Sequence, residues 1–273
     1  MIYGEIYFLG KCNCKCFYCL NNEMECLREK NENHLTTHFK TWKNFDKFLN
    51  LCKEKNIEKI FLSSVTTEPM LYKYLYELVL YIKSKGFKVG IRTNGYFVMK
   101  NIDVLKELDE EISFSINSLN ENTNYKICKV SSLPNWDKIF KELDRLNKKC
   151  RVSIVVNNYN EKEIANILDT LTEYNCINYV QLRRIYKYYT KSEHDEAFVN
   201  VSKWLKDNAI YKSNYFESEI YGYKNLDVSL WNDVFKKESI ISLNYFTNGL
   251  LSDHNLIIPA YENKEGVLEW MKM

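Results

Sequence analysis

The chain has 273 residues, 45% of them hydrophobic, enough to bury the core of one large α/β domain or two small ones. Thirty-eight Lys and Arg stand against 36 Asp and Glu, a net charge of +2, so the basic surplus of a nucleic-acid surface is missing and nucleic acid is unsupported as a partner. The start, MIYGEIYFLG, has no cationic head, long apolar run or small-residue cleavage site, and no later stretch has the length of a membrane span, which predicts a cytoplasmic protein with no membrane partner.

The run IYGEIYFL reads as a first strand and leads straight into GKCNCKCFYCLNN, four cysteines within eight residues. TWKNFDKFLNLCKEKN then sets Trp42, Phe45, Phe48, Leu49 and Cys52 at helical spacing, and IEKIFLSS is a short β-branched and aromatic strand. LYKYLYELVLYIKSKG is helical with Gly86 as its stop signal, and the strand FKVGIRTNG follows. IDVLKELDE with EISFSINSL, NWDKIFKELDRLNKK with CRVSIVVNN, and EKEIANILDTLTEYN with INYVQLRRI repeat the pair, making six strands between Tyr3 and Ile185. Such alternation requires parallel strands, because each crossover must return to the same end of the sheet. An open doubly wound sheet and an incomplete barrel both satisfy it, and both put ligand loops at the C-terminal ends of the strands.

Beyond about residue 190 the pattern breaks. SEHDEAFVNVSKWLKDN reads as one more helix, and IISLNYFTNGLLSDHNLIIPAYE as strands joined at Asn248-Gly249. The expected organisation is a core over residues 1–190 with an extension over 191–273 packed on it, covering one edge or mouth of the sheet. No Pro/Gly-rich linker or internal repeat marks a further boundary.

Nine cysteines in a reducing compartment are poor disulfide material, and four of them share one loop, which points to metal or catalysis. Structural zinc usually draws on two separated ligand pairs, so four thiolates between Cys12 and Cys19 are cramped for it, and His34, His38, His194 and His254 all lie outside ligand spacing of the loop. A redox pair of Cys16 and Cys19 leaves Cys12 and Cys14 unexplained. An iron-sulfur cluster accounts best for the spacing, since each soft thiolate can take a different iron, and with three ligands one iron stays open. Cys26, Cys52, Cys128, Cys150 and Cys176 read as small apolar residues, Cys128 least securely because it lies in a loop after the fourth strand. The 21 tyrosines read mostly as amphipathic packing residues.

Cys12, Cys16 and Cys19 form CxxxCxxC with Tyr18 before the last cysteine, directly after the first strand. This resembles the signature loop of radical S-adenosylmethionine (SAM) enzymes. The resemblance covers roughly residues 3 to 185. It implies a partial (β/α)6 TIM-type barrel with a C-terminal extension containing a helix and a β-hairpin. It also implies a [4Fe-4S] cluster on Cys12, Cys16 and Cys19, whose open iron chelates SAM, with Cys14 spare. Thr66-Thr67-Glu68-Pro69 stands where the family has a Gly-Gly-Glu-Pro-like segment whose backbone receives the SAM amino group. IRTNG places Thr93 near SAM, SFSINSL places Ser115 and Asn117 toward the ribose or the methionine carboxylate, and SIVVNNYNEKEI places Asn157 on the adenine side. Read on local chemistry alone, Thr66 to Pro69 are a helix start and the other four are strand-end and turn residues. Arg183 and Arg184, ending the sixth strand, are either structural or hold a carboxylate or phosphate.

No cysteine follows Cys176 and the sequence starts almost at strand one, so the expectation is an oxygen-sensitive, single-cluster enzyme without a peptide-recognition domain ahead of that strand. The implied chemistry is reductive cleavage of SAM to methionine and a 5'-deoxyadenosyl radical, which takes hydrogen from a small-molecule or peptide substrate. A flavodoxin or ferredoxin is the implied electron donor. Two alternatives accompany this reading: an activase making a glycyl radical on a partner protein, and a non-catalytic iron-sulfur or redox sensor.

Overall fold

A computed structural model of the chain describes residues 3–19, 32–64, 66–109, 111–185, 194–215, 218–231 and 242–253. All six anticipated strands form: β1 Tyr3–Phe8, β2 Lys59–Ser64, β3 Lys88–Thr93, β4 Ile112–Ser115, β5 Cys150–Val155 and β6 Ile177–Arg183. They are parallel and lie side by side in sequence order. A doubly wound sheet reverses its order at a switch point, so an unreversed run places all crossovers on one face, as in a barrel wall. The sheet is an open arc and does not close.

Residue alternation explains the two faces. Ile6, Leu62, Ile91 and Ile112 stand side by side in register, as do Phe114, Val152, Val180 and Val228. The helices pack on this side. They are α1 Phe45–Glu54, α2 Leu75–Ser84, α3 Ile102–Glu107, α4 Glu121–Cys128, α5 Trp136–Arg145, α6 Ile164–Leu171 and α7 Asp195–Asn208. In α5, Asn135 caps the first turn by accepting from the Lys138 amide at 3.0 Å, and Trp136, Ile139, Phe140 and Leu143 recur at helical spacing to bury one face. Phe140 meets Phe114 edge-on at 5.8 Å between ring centroids. Each such buried side chain contributes about 1.5–3 kcal/mol. Cys52, Cys150 and Cys176 are buried in this apolar layer, as anticipated for isolated thiols. Cys26 and His254 lie outside the described residues.

The opposite, interior face is polar. Arg92, Ser113, Arg151, Tyr179 and Asp227 form one row across the strands, and Ser115, Ser153, Gln181 and Ser229 the next. Apolar residues thus turn to the helices and polar ones to the opposite face of the sheet.

The tail differs from expectation in where it goes. Strands β7 Ile210–Tyr215, β8 Ser218–Tyr223 and β9 Leu226–Trp231 continue the sheet beyond β6, with β9 parallel to β6. Strand β10 Ser242–Phe246 returns to pair in parallel with β1, and β11 Leu251–Ser252 pairs antiparallel with β10. The anticipated turn at Asn248-Gly249 joins these last two strands, with Gly249 at φ 96°, which a side chain would strain. The tail thus extends both edges of the core sheet rather than covering one, giving an eleven-stranded order β11-β10-β1-β2-β3-β4-β5-β6-β9-β8-β7.

Candidate functional site

The cysteine loop leaves the C-terminal end of β1 and is tied down along its whole length. At its start, the Thr66 hydroxyl donates to the Gly10 carbonyl at 3.0 Å and accepts from the Gly10 amide at 3.1 Å. The Thr67 hydroxyl donates to the Lys11 carbonyl at 2.9 Å. Both threonines therefore bind the loop after β2 to the loop after β1 through side chains that glycines lack.

In the middle, the Lys15 and Phe17 amides donate to the carbonyls of Cys128 and Ile127 at 2.8 and 3.1 Å. Those carbonyls end α4, where a helix has no acceptors' partners of its own, so loop and helix satisfy each other. Farther on, Phe17 packs against His194 and Tyr159, with centroids 4.8 and 5.8 Å away. Tyr18 donates its hydroxyl to the Asn117 side-chain oxygen. The Cys19 amide turns back to the Cys16 carbonyl at 3.1 Å.

Glu68 organises the next layer. It is 2% exposed, and its carboxylate accepts from the Met70 amide at 3.0 Å, the Thr93 hydroxyl at 2.6 Å and the Asn94 amide at 2.7 Å. Burial raises its pKa to about 7 against the three donors, which work the other way. The anchored Asn94 extends its side-chain amide to Asn13 Oδ1 at 2.9 Å, Cys14 Sγ at 3.6 Å and Cys12 Sγ at 3.9 Å. Gly95 beside it has φ 86°, and a Cβ there would meet the Trp136 ring at 2.4 Å. The Asn94-Gly95 turn can lean on α5 only because that Cβ is missing.

Cys12, Cys14, Cys16 and Cys19 are all half-buried, and none is in a disulfide. The hydrogen bond with Cys14 lowers the Cys12 pKa, while its contacts with Cys12, Cys128 and Cys16 raise that of Cys14. Cys128 is lowered to about 6, chiefly by its hydrogen bond with Cys14. The Cys14 sulfur thus lies among those of Cys12, Cys16 and Cys128, and it accepts from the side-chain amides of Asn13 at 3.3 Å and Asn94 at 3.6 Å. Among the described residues no three His, Cys, Asp or Glu side chains converge on one metal ion. A cubane gives each thiolate its own iron and does not require such convergence. Three accessible thiols on one braced loop, with amide donors aimed at sulfur, fit the donor set of such a cluster.

Of the other residues singled out in the sequence, Thr93 is buried, donating to Glu68 and accepting from the Gly95 amide at 3.1 Å. Ser115 is exposed at the end of β4. Asn117 also accepts from Asn160 through its carbonyl at 2.8 Å. Asn157 is fully buried and forms a turn, accepting from the Tyr159 amide at 3.0 Å and donating to the Val155 carbonyl at 2.9 Å. Arg184 donates from Nε and Nη2 to the two carboxylate oxygens of Asp195, at 2.7 and 2.5 Å, and so holds the start of α7. Asn94 carried no assigned role in the sequence, although an Asn-Gly pair closing a strand is a recognisable turn signal.

The radical SAM superfamily model matches residues 6–171. The chain belongs to the radical SAM superfamily, whose members use a [4Fe-4S] cluster and SAM. It is 28% identical over 161 residues to a Methanocaldococcus jannaschii protein provisionally named a glycyl-radical enzyme activating enzyme, covering 58% of this chain and 55% of that one. It is 23% identical over 175 residues to the GTP 3',8-cyclase of Campylobacter fetus, covering 63% and 52%. The chain thus spans about half the length of these relatives. In fold it is similar to Streptococcus suis SuiB bound to S-adenosylmethionine, with a TM-score of 0.69 at 15% identity over 100% of this chain and 64% of that one. SuiB has also been solved with its precursor peptide SuiA. Among the described residues no helix is long and apolar enough to cross a membrane.

Proposed function

We propose that this chain reductively cleaves SAM and abstracts a hydrogen atom from a small-molecule or peptide substrate held against the polar face of the sheet. The observation that carries this reading is the cysteine loop: Cys12, Cys16 and Cys19 are held at the strands' C-terminal ends by the loops after β2 and β3 and by α4. Those three cysteines would hold the cluster, which when bound supplies the electron and the open coordination site for SAM.

The chain's own residues do the positioning. Thr66 and Thr67 hold the β2 loop against the loop's start, so the backbone of residues 66–68 stands ready for the SAM amino group. Glu68 fixes Thr93 and Asn94, and Asn94 directs donors at the sulfurs. Tyr18 and Asn117 brace each other on the side assigned to the ribose or methionine carboxylate, Ser115 stands exposed beside them, and Asn157 shapes the adenine side through its turn. Residues 1–190 serve as the core and 191–273 as an extension, and a flavodoxin or ferredoxin supplies the electron.

The test is anaerobic reconstitution with iron and sulfide, then reduction with dithionite in the presence of SAM, scoring 5'-deoxyadenosine and methionine by mass spectrometry. Formation of both, lost in Cys16→Ala, supports the reading. A loaded cluster that binds no SAM would favour the sensor. The relative named for glycyl-radical activation favours a second reading, in which the hydrogen donor is a glycine of a partner protein. That reading predicts a stable complex with a large protein, visible by size-exclusion chromatography.

A further inference from the structure

The interior face carries three arginines, and two are already matched. Arg92 pairs with the buried Glu5, which also accepts from the Tyr7 hydroxyl at 2.8 Å. Arg151 pairs with Glu111 at 2.8 Å and donates to the Ser113 hydroxyl at 3.0 Å. Arg183, on the same face by register, makes no side-chain hydrogen bond or ion pair among the described residues. It is half-buried at the C-terminal end of β6, where Arg151 and Arg92 repel its charge and the Glu5 carboxylate, already paired with Arg92, and the Tyr18 hydroxyl of the cysteine loop favour it. A half-buried guanidinium without a direct ion-pair partner in such a place is costly unless something else pairs with it.

Its neighbours share the deficit. Trp231 is its register partner on β9, and the indole Nε1–H is buried without an acceptor. Ser229, two residues earlier on β9 and opposite Gln181, is fully buried with an unpartnered hydroxyl. Burial, with Arg151 and Arg92 nearby, lowers the Arg183 pKa to about 10, so the group stays charged at neutral pH.

We propose that Arg183 and Trp231 form an anion-binding subsite that holds a carboxylate or phosphate group of the substrate. A planar guanidinium donates two parallel hydrogen bonds to either group, and the indole adds a third donor from the adjacent strand. Ser229 lies one row deeper and completes the polar lining. An anion held there stands within electrostatic reach of the cysteine loop, so the rest of the substrate faces the site of hydrogen abstraction. This rests on the radical SAM reading for the location of the chemistry. The subsite itself is tested without reduction.

The experiment titrates the reconstituted full-length protein with inorganic pyrophosphate and, separately, with succinate, followed by calorimetry and tryptophan fluorescence, for wild type, Arg183→Gln, Arg183→Lys and Trp231→Phe. Wild type is expected to bind at least one probe saturably. Arg183→Gln should weaken it about tenfold or more, with Arg183→Lys intermediate and Trp231→Phe a few-fold weaker. Affinity for SAM, titrated in parallel, should change by less than about twofold, since the predicted contact is to substrate. Binding of neither probe, or equal binding by all four proteins, overturns the proposal. A parallel loss of SAM affinity also overturns it, because the guanidinium then holds the carboxylate of SAM. Should Arg183→Gln not fold, Arg183→Lys and Trp231→Phe decide between the same outcomes. Failure of wild type to cleave SAM is a separate result, striking the radical reading and leaving the titration standing.

Discussion

Asn94 links a buried carboxylate to the sulfurs of the loop, and its contribution can be isolated. In Asn94→Ala the amide donors to Asn13, Cys14 and Cys12 are gone while the Glu68 bond to the residue 94 backbone remains. Partners that orient metal ligands are typically worth 10- to 100-fold in metal affinity, so the variant should lose iron to a chelator at least about tenfold more readily. Iron retention after gel filtration with a competing chelator measures it. Glu68 makes a second prediction, in pH. Its ordinary pKa of 4.5 rises to about 7 in the folded protein through burial. Below 4.5 both states hold the proton; between 4.5 and about 7 only the folded one does, so its contribution is full below 4.5 and falls away as pH rises to about 7. Denaturant unfolding of the apo protein from pH 4.5 to 8 should show this loss of stability with rising pH, and Glu68→Gln should remove that part of the slope while being less stable at low pH.

Cys12, Cys16 and Cys19 were legible because their signal is local spacing, and Asn94 and Cys128 were not because the loop sulfurs they meet lie 80 or more residues away in the chain. Cys128 shows the difference well. Its neighbours in sequence describe a helix end, and only the docking of that helix against Lys15 and Phe17 brings its thiol to Cys14.

At the scale of elements, the six strands that alternate with helices and the turn between β10 and β11 were readable, and β7, β8 and β9 were not. Strand β7 is exposed along its whole length, so nothing selects an apolar period in it. Helix α4 was missed for a related reason: few of its eight residues are apolar, and its stability comes from Asn120 capping Thr123 at 3.1 Å and from the cysteine loop at its C-terminal end. The Asn94-Gly95 turn offers a test of how one element positions another. Gly95→Ala introduces both a disfavoured positive φ and a clash with Trp136, so it should destabilise the fold by about 2 kcal/mol or more and displace Asn94 from the sulfurs. Thermal or denaturant unfolding gives the first effect and iron retention the second.

For the whole molecule, alternation announced a parallel α/β sheet, but the choice between a barrel wall and a doubly wound sheet depended on strand order, which periodicity does not encode. Nor did composition announce that β10 would lie against β1, since a buried five-residue strand reads the same beside any partner. That pairing has a consequence. A chain cut at residue 190 leaves the edges of β1 and β6 without β10 and β9, exposing unpaired backbone. Residues 1–190 alone should be largely insoluble or lack cooperative unfolding, and a soluble, cooperatively folding fragment would show that the core stands without the extension.

The central claim is that Cys12, Cys16 and Cys19 hold a cluster with one iron open to SAM. Electron paramagnetic resonance of the reconstituted, dithionite-reduced protein, recorded with and without SAM, tests it most directly. Wild type and Cys14→Ala should both give a reduced [4Fe-4S] signal that SAM shifts, and each single alanine variant of Cys12, Cys16 and Cys19 should lose it. A signal indifferent to SAM, or one that survives loss of those cysteines but vanishes with Cys14, would contradict the account.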